Sequence, residues 1–173
     1  DSNINPNELK FYNASKRGDV IDNLLRDFFT TNTITKSEFI KRGKEYLKKE
    51  NISRPNSTIE ISDNFFSELY DLSEQYKIDF DKKGYTIYAN TNTLSGKINN
   101  KLYAGTMDLL AYDNKNKEWI IIDIKTSSVD RGLEYKGNDR YGYKTKDAIQ
   151  QNAYRELFLQ KNGIEPSKLL ILP

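Results

Sequence analysis

Between residues 15 and 30 the apolar side chains fall at Val20, Ile21, Leu24, Leu25, Phe28 and Phe29. That i, i+1, i+4, i+5 recurrence predicts an amphipathic helix, with Ser15 as its N-cap. A Thr-rich link leads to a second, more polar helix near 37–49, carrying Phe39, Ile40, Tyr46 and Leu47. A third helix is expected near 63–77, carrying Phe65, Phe66, Leu69, Tyr70, Leu72 and Tyr76, with Ser62 or Asp63 as its cap. After Gly84 the period changes to that of strands, expected at 85–90, 101–112 and 119–125, the last two joined by the polar turn 113–118. A helix from about 146 to 162 follows, closed by Gly163 at C′, and Lys168–Leu172 reads as a final buried strand. The order is helices, β, β, β, α, β, without internal repeat or low-complexity segment. Polar, Asn-rich residues 1–14 lack any such period and are expected to form a loosely held arm.

A length of 173 residues fits one ordinary domain, here 15–173, with a single core. The chain has no His and no Cys. Disulfides, Cys/His zinc sites, thiol nucleophiles and the Ser-His-Asp triad are therefore excluded. Any chemistry rests on Asp, Glu, Lys, Arg, Ser, Thr or Tyr, or on a metal held by oxygen. No run of about 18 apolar residues and no signal-peptide core is present. The expectation is a soluble, intracellular (cytoplasmic) protein with no membrane partner, although lacking Cys assigns no compartment by itself. Asp1 in place of Met, and an apolar run reaching Pro173, are compatible with a segment of a longer polypeptide or a protein complex.

The net charge of +2 is close to neutral, but its distribution is uneven. Residues 131–146 carry five basic and two acidic side chains, interleaved with three Tyr and three Gly. Cations for phosphates and aromatic rings on which bases stack are what single-strand binding requires. Arg131, Lys136, Arg140, Tyr141 and Lys144 are the candidate nucleic-acid contacts. The other account of this segment is a solvated loop whose Tyr residues cover neighbouring helices.

If Tyr112 pairs with Trp119 across the turn, paired residues sum to 231, so Leu110 faces Ile121 and Asp108 faces Asp123. Lys125 shares the face of Asp123, because strand side chains alternate. The opposite face reads Met107, Leu109, Ala111 against Ile120, Ile122, Ile124. Apolar neighbours on both sides imply a central hairpin with helices packed on it. Two opposed carboxylates are unfavourable unless a cation bridges them or one is protonated. Oxygen ligands favour a hard ion: Mg²⁺, Mn²⁺ or Ca²⁺. With a Lys beside the pair, the arrangement suits phosphodiester hydrolysis. An ordinary strand end with one solvent-facing pair is the competing account, and a slip of one residue would move Asp108 to the other face.

Gly105-Thr-Met-Asp108, Asp123-Ile-Lys125 and Gln150-Gln-Asn-Ala-Tyr154 resemble the G-x-x-D, D-x-K and Q-x-x-x-Y motifs of the RecB-type PD-(D/E)xK nucleases, in the family's order. Arg17-Gly18-Asp-Val-Ile-Asp22 resembles the motif that opens that family, with Asp22 where His is usual. Met107 stands where the family's name would place Pro. The resemblance runs from about residue 15 to 173. It implies an α/β (α+β type) fold: a small mixed β-sheet flanked by helices, a restriction-endonuclease-like core with added N-terminal helices. Carried over by position, Asp108, Asp123 and the backbone carbonyl of Ile124 would bind Mg²⁺ or Mn²⁺. Lys125 would be the catalytic lysine. Gln150 and Tyr154, i and i+4 on one helix, would line the site and contact nucleic acid, whereas by themselves they read as an ordinary helix with a Tyr at the core's edge. Asp22 is either a further metal ligand or a solvated surface acid.

The resemblance implies a metal-dependent nuclease, acting on DNA in preference to RNA and at strand ends. Alternatives are an endonuclease of the same fold, for DNA or RNA, and a non-catalytic nucleic-acid-binding module of a larger recombination or replication protein. A third class is an unrelated α/β domain.

Overall fold

The computed structural model describes residues 6–31, 33–88, 93–106, 109–124, 153–162 and 168–172. The chain divides between Asp79 and Phe80 into two compact units.

In the first unit, α1 (Pro6–Thr30), α2 (Lys36–Ser53) and most of α3 (Asp63–Lys83) bury most of their apolar side chains, although Leu72 of α3 is 47% exposed. Val20, Leu24, Phe28, Phe39 and Phe66 are essentially inaccessible to solvent. Phe28 of α1 meets Phe39 of α2 and Tyr70 of α3 edge-on, with ring centres 5.9 and 5.6 Å apart. Edge-to-face packing aims positive ring edges at negative faces and adds roughly 0.5–1.5 kcal/mol per pair beyond area burial. Each cap follows the local sequence. Thr35 Oγ1 accepts from Glu38 N at 3.2 Å, and Ser62 Oγ accepts from Phe65 N at 3.1 Å. Gly84, at φ +77°, follows α3, which runs past the expected end at 77.

The arm expected over residues 1–14 is corrected from Pro6 onward. Those residues belong to α1, and Ser15 lies inside the helix rather than capping it. Proline is pre-organised for a first helical position, and tertiary contacts hold the turns that follow. Lys16 is wholly buried, and its Nζ donates to the carbonyls of Arg54, at 2.9 Å, and of Ser57. The cations of Lys16 and Arg54 lie 5.7 and 5.9 Å from the centre of the Tyr12 ring. Ser57 Oγ donates to Asn13 Oδ1. These are contacts between segments about forty residues apart, which no local period reports.

The second unit holds a four-stranded sheet in the order β1–β4–β5–β6, together with a separate two-stranded hairpin, β2–β3. The strands are β1 (Tyr85–Tyr88), β2 (Thr93–Ile98), β3 (Lys101–Thr106), β4 (Leu109–Asp113), β5 (Glu118–Ile124) and β6 (Lys168–Leu172). Helix α4 (153–162) lies between β5 and β6 in the chain. β1, β4 and β5 pair antiparallel and β6 runs parallel to β5, so the sheet is mixed and the class is α+β. The single strand expected over 101–112 is two strands. Residues 101–106 pair with β2, a strand absent from the sequence reading, while 109–113 pair with β1 and β5.

Central strands β4 and β5 are buried on both faces, as the two-sided apolar pattern requires. Leu109, Ala111, Ile120 and Ile122 form one inaccessible face. On the other, Leu110 and Ile121 cluster with Leu157 and Phe158 of α4, and Ile98, Trp119 and Tyr154 pack around them. Full burial of each Leu or Ile contributes roughly 1.5–3 kcal/mol, which is what holds α4 on the sheet. Among the described residues no helix is long and apolar enough to cross a membrane.

Candidate metal and nucleic-acid site

The site expected from the sequence depends on how β4 and β5 are aligned, and the turn between them sets that alignment. Asp113 is almost wholly buried. Its Oδ1 accepts from the backbone N–H of Lys115 at 2.9 Å and of Asn116 at 3.1 Å, and its Oδ2 accepts from Asn116 Nδ2 at 2.7 Å. This is an Asx turn, in which a short acidic side chain replaces a backbone acceptor. Asn114 fastens the turn to the start of β1: its Nδ2 donates to Gly84 O and to Thr86 Oγ1, both at 2.8 Å. Lys117 completes the reversal at φ 55°.

The resulting rungs are Asp113↔Glu118, Tyr112↔Trp119, Leu110↔Ile121 and Leu109↔Ile122, the register that the turn length predicts. On the other side of β5, Asp123 pairs with Ile171 and Ile124 with Leu172. The backbone of Asp123 and Ile124 therefore belongs to the sheet, at the end of β5 and alongside parallel β6. Asp108, Lys125, Gln150 and the loop residues Arg131, Lys136, Arg140, Tyr141 and Lys144 lie outside the described residues. Tyr154 is described. It is half-buried in the first turn of α4 and packs against the Leu110/Ile121/Leu157/Phe158 cluster, on the sheet face that Ile121 presents.

Asp22 sits in the first unit, on α1, among Ile21, Leu24 and Leu25. It is half-buried, with its Oδ1 shielded from solvent. Among the described residues no three acidic side chains gather into a group able to hold a metal ion.

One polar cluster in the first unit was not legible in the sequence. Tyr46 donates its hydroxyl to Asp27 Oδ2 at 2.6 Å, and Arg42 lies 3.5 Å from the same oxygen and 3.1 Å from Glu38 Oε1. Burial, reinforced by the Asp27 carboxylate, pushes the Tyr46 phenol up to about 12. The hydrogen bond to Glu38, helped by Asp27, raises the Arg42 guanidinium above its ordinary value. A phenol so disposed stays protonated at neutral pH and is a poor base. The cluster joins α1 to α2.

Comparisons with protein-family models, curated proteins and solved structures give no match to this chain.

Proposed function

We propose that the chain is a divalent-metal-dependent nuclease with a restriction-endonuclease-like core, hydrolysing phosphodiester bonds of DNA from strand ends. The observation that carries this reading is the β4–β5 register. Its last described rung is Leu109↔Ile122, and a ladder continued in the same register would pair position 108 with 123. Directly opposed residues have Cβ atoms about 4.5–5.5 Å apart. In that continuation strand alternation would give positions 108, 123 and 125 the parity of Leu110 and Ile121, the face on which Tyr154 packs. The parallel return of β6 after α4 supports the same reading, since it completes the small mixed sheet that the motif resemblance implies.

The donor chemistry fits a hard cation. Two carboxylates with no imidazole or thiolate anywhere in the chain suit Mg²⁺ or Mn²⁺. Asp108, Asp123 and the carbonyl of Ile124 would hold the ion. When bound, such an ion polarises a phosphoryl group and lowers the pKa of coordinated water. Lys125 orients the attacking water and offsets the charge that builds on the phosphate oxygens. Gln150 and Tyr154 orient the strand, and Arg131, Lys136, Arg140, Tyr141 and Lys144 bind its phosphates and bases.

The test is incubation with end-labelled single- and double-stranded DNA and RNA in Mg²⁺, Mn²⁺ or EDTA. Cleavage is expected only with metal, and is abolished in Asp123→Ala and in Lys125→Ala. Cleavage that persists in EDTA or in Asp123→Ala overturns the mechanism. Binding without cleavage in every metal indicates a non-catalytic module, and products cut internally indicate an endonuclease.

A further inference from the structure

Strand alternation sorts the side chains of β1, β4 and β5 onto two faces of the sheet, and the face that α4 covers in part is rich in aromatic rings. Thr86, Tyr112 and Trp119 share one rung there, and Tyr88, Leu110 and Ile121 share the next. Leu157 and Phe158 of α4 seal Leu110 and Ile121 from water. Phe158 also meets Trp119, at 6.2 Å between ring centres. The rings around that contact stay open: Tyr88 is 46% exposed, and Tyr112 and Trp119 are half-buried. They form one strip, because Trp119 lies 5.0 Å from Tyr112 and 5.6 Å from Tyr88 between ring centres.

The chemistry of this strip favours one kind of occupant. β1 is an edge strand of its sheet, a place that proteins ordinarily keep short and charged. Here it presents an exposed Tyr next to an indole. None of the side chains on these two rungs is acidic, so a polyanion meets no like charge from them. Contiguous rings offer flat π surface, on which bases stack whatever their sequence. The strip is also in line with the candidate site. Trp119 and position 123 have the same parity on β5 and stand four residues, ~13 Å, apart. That is the length of about four stacked nucleotides at ~3.4 Å each. Tyr154, the motif residue of α4, stands about one helical turn before Phe158 and packs on the same face.

We infer that Tyr88, Tyr112 and Trp119 are a stacking platform for the bases of single-stranded nucleic acid, seating the strand about four nucleotides from the bond to be cut. This rests on the nuclease reading for the cut, and it assigns a single-stranded substrate to that same site. A duplex keeps its bases stacked inside and offers the platform no free base face.

Trp119 is the one tryptophan of the chain, so its fluorescence reports on the platform directly. The test is titration in EDTA, where metal-dependent cleavage cannot interfere, with oligothymidylate, with an abasic oligomer of equal length and with a duplex. Oligothymidylate should quench the emission to saturation, and the other two should not. Tyr88→Ala should weaken oligothymidylate binding roughly 5- to 150-fold, with the salt dependence unchanged, because no phosphate contact is lost. Tyr88→Phe should bind as the parent does, and circular dichroism checks that both variants fold. Unchanged emission while the anisotropy of a labelled oligothymidylate reports binding overturns the inference, as does parental affinity in Tyr88→Ala. Emission that follows protein concentration and ignores DNA means that a second copy covers the face, and also overturns it. The two readings fail separately. Cleavage in Mg²⁺ without quenching removes the platform and leaves the nuclease, whereas quenching without cleavage in any metal removes the nuclease and leaves the platform as a binding surface.

Discussion

Replacing Asp113 by Ala tests the link between the β4–β5 turn and the candidate site. Asp113 makes three hydrogen bonds within the turn, at 2.7, 2.9 and 3.1 Å. The donors left behind belong to residues 115 and 116, which are exposed and regain water, so each bond is worth about 1 kcal/mol net rather than a full desolvation penalty. Their loss thus costs about 3 kcal/mol. Against it runs the relief of like-charge opposition to Glu118, its partner across the ladder, worth about 0.5 kcal/mol. The balance is about 2–3 kcal/mol of destabilisation, read as a lower urea midpoint at unchanged slope. Asp113→Asn keeps an oxygen for the two backbone donors and also removes the like charge, so it should recover most of the loss. The turn also sets which residue faces Asp123, and a one-residue slip transfers every side chain to the other face. Cleavage by Asp113→Ala, assayed where the protein is fully folded, should therefore fall further than its folded fraction accounts for. A urea midpoint within about 0.5 kcal/mol of the parent, or cleavage that tracks the folded fraction alone, would falsify this reasoning.

Gly43→Ala sets two effects against each other: alanine favours a helix interior by about 1 kcal/mol, but its Cβ would lie 2.7 Å from Cε1 of fully buried Phe66. Overpacking costs roughly 1–3 kcal/mol, so net destabilisation is expected in urea unfolding, with Phe66→Leu restoring part of it; a more stable single variant would contradict the packing. The raised Tyr46 phenol makes stability pH-dependent in a defined direction. The folded state holds the proton more tightly than the unfolded chain, whose phenol titrates near 10. That contribution is complete below about pH 10 and is lost as pH rises through the folded value of about 12. Tyr46→Phe should lack this alkaline component when unfolding free energies are compared between about pH 8 and 11.

How much of this was readable in advance varies from element to element. Val20, Leu24 and Phe28 announce α1 because a buried stripe must recur at the helical period. The alternation around Leu110 and Ile121, with a polar Asp113-Asn114 turn between the strands, was sufficient to specify the register. The hairpin was missed because the only apolar side chains of β2, Leu94 and Ile98, are separated by Ser95, Gly96 and Lys97, too sparse a pattern to announce a strand, and its one further signal was the Asn99-Asn100 pair, a residue type that tolerates positive φ. The first turns of α1 were missed because their stability comes from Lys16, Tyr12 and Asn13 touching residues beyond position 53.

Local pattern alone thus determined the helices, the central strands and their alignment, since each depends on neighbours within a few residues. Tertiary structure alone decided the split into two units, the burial of Lys16 and of the Asp22 carboxylate oxygen, and the seating of Gly96 against α4. Those outcomes are contacts between segments remote in the chain, and nothing in a segment's own periodicity records which surface will come to rest against it.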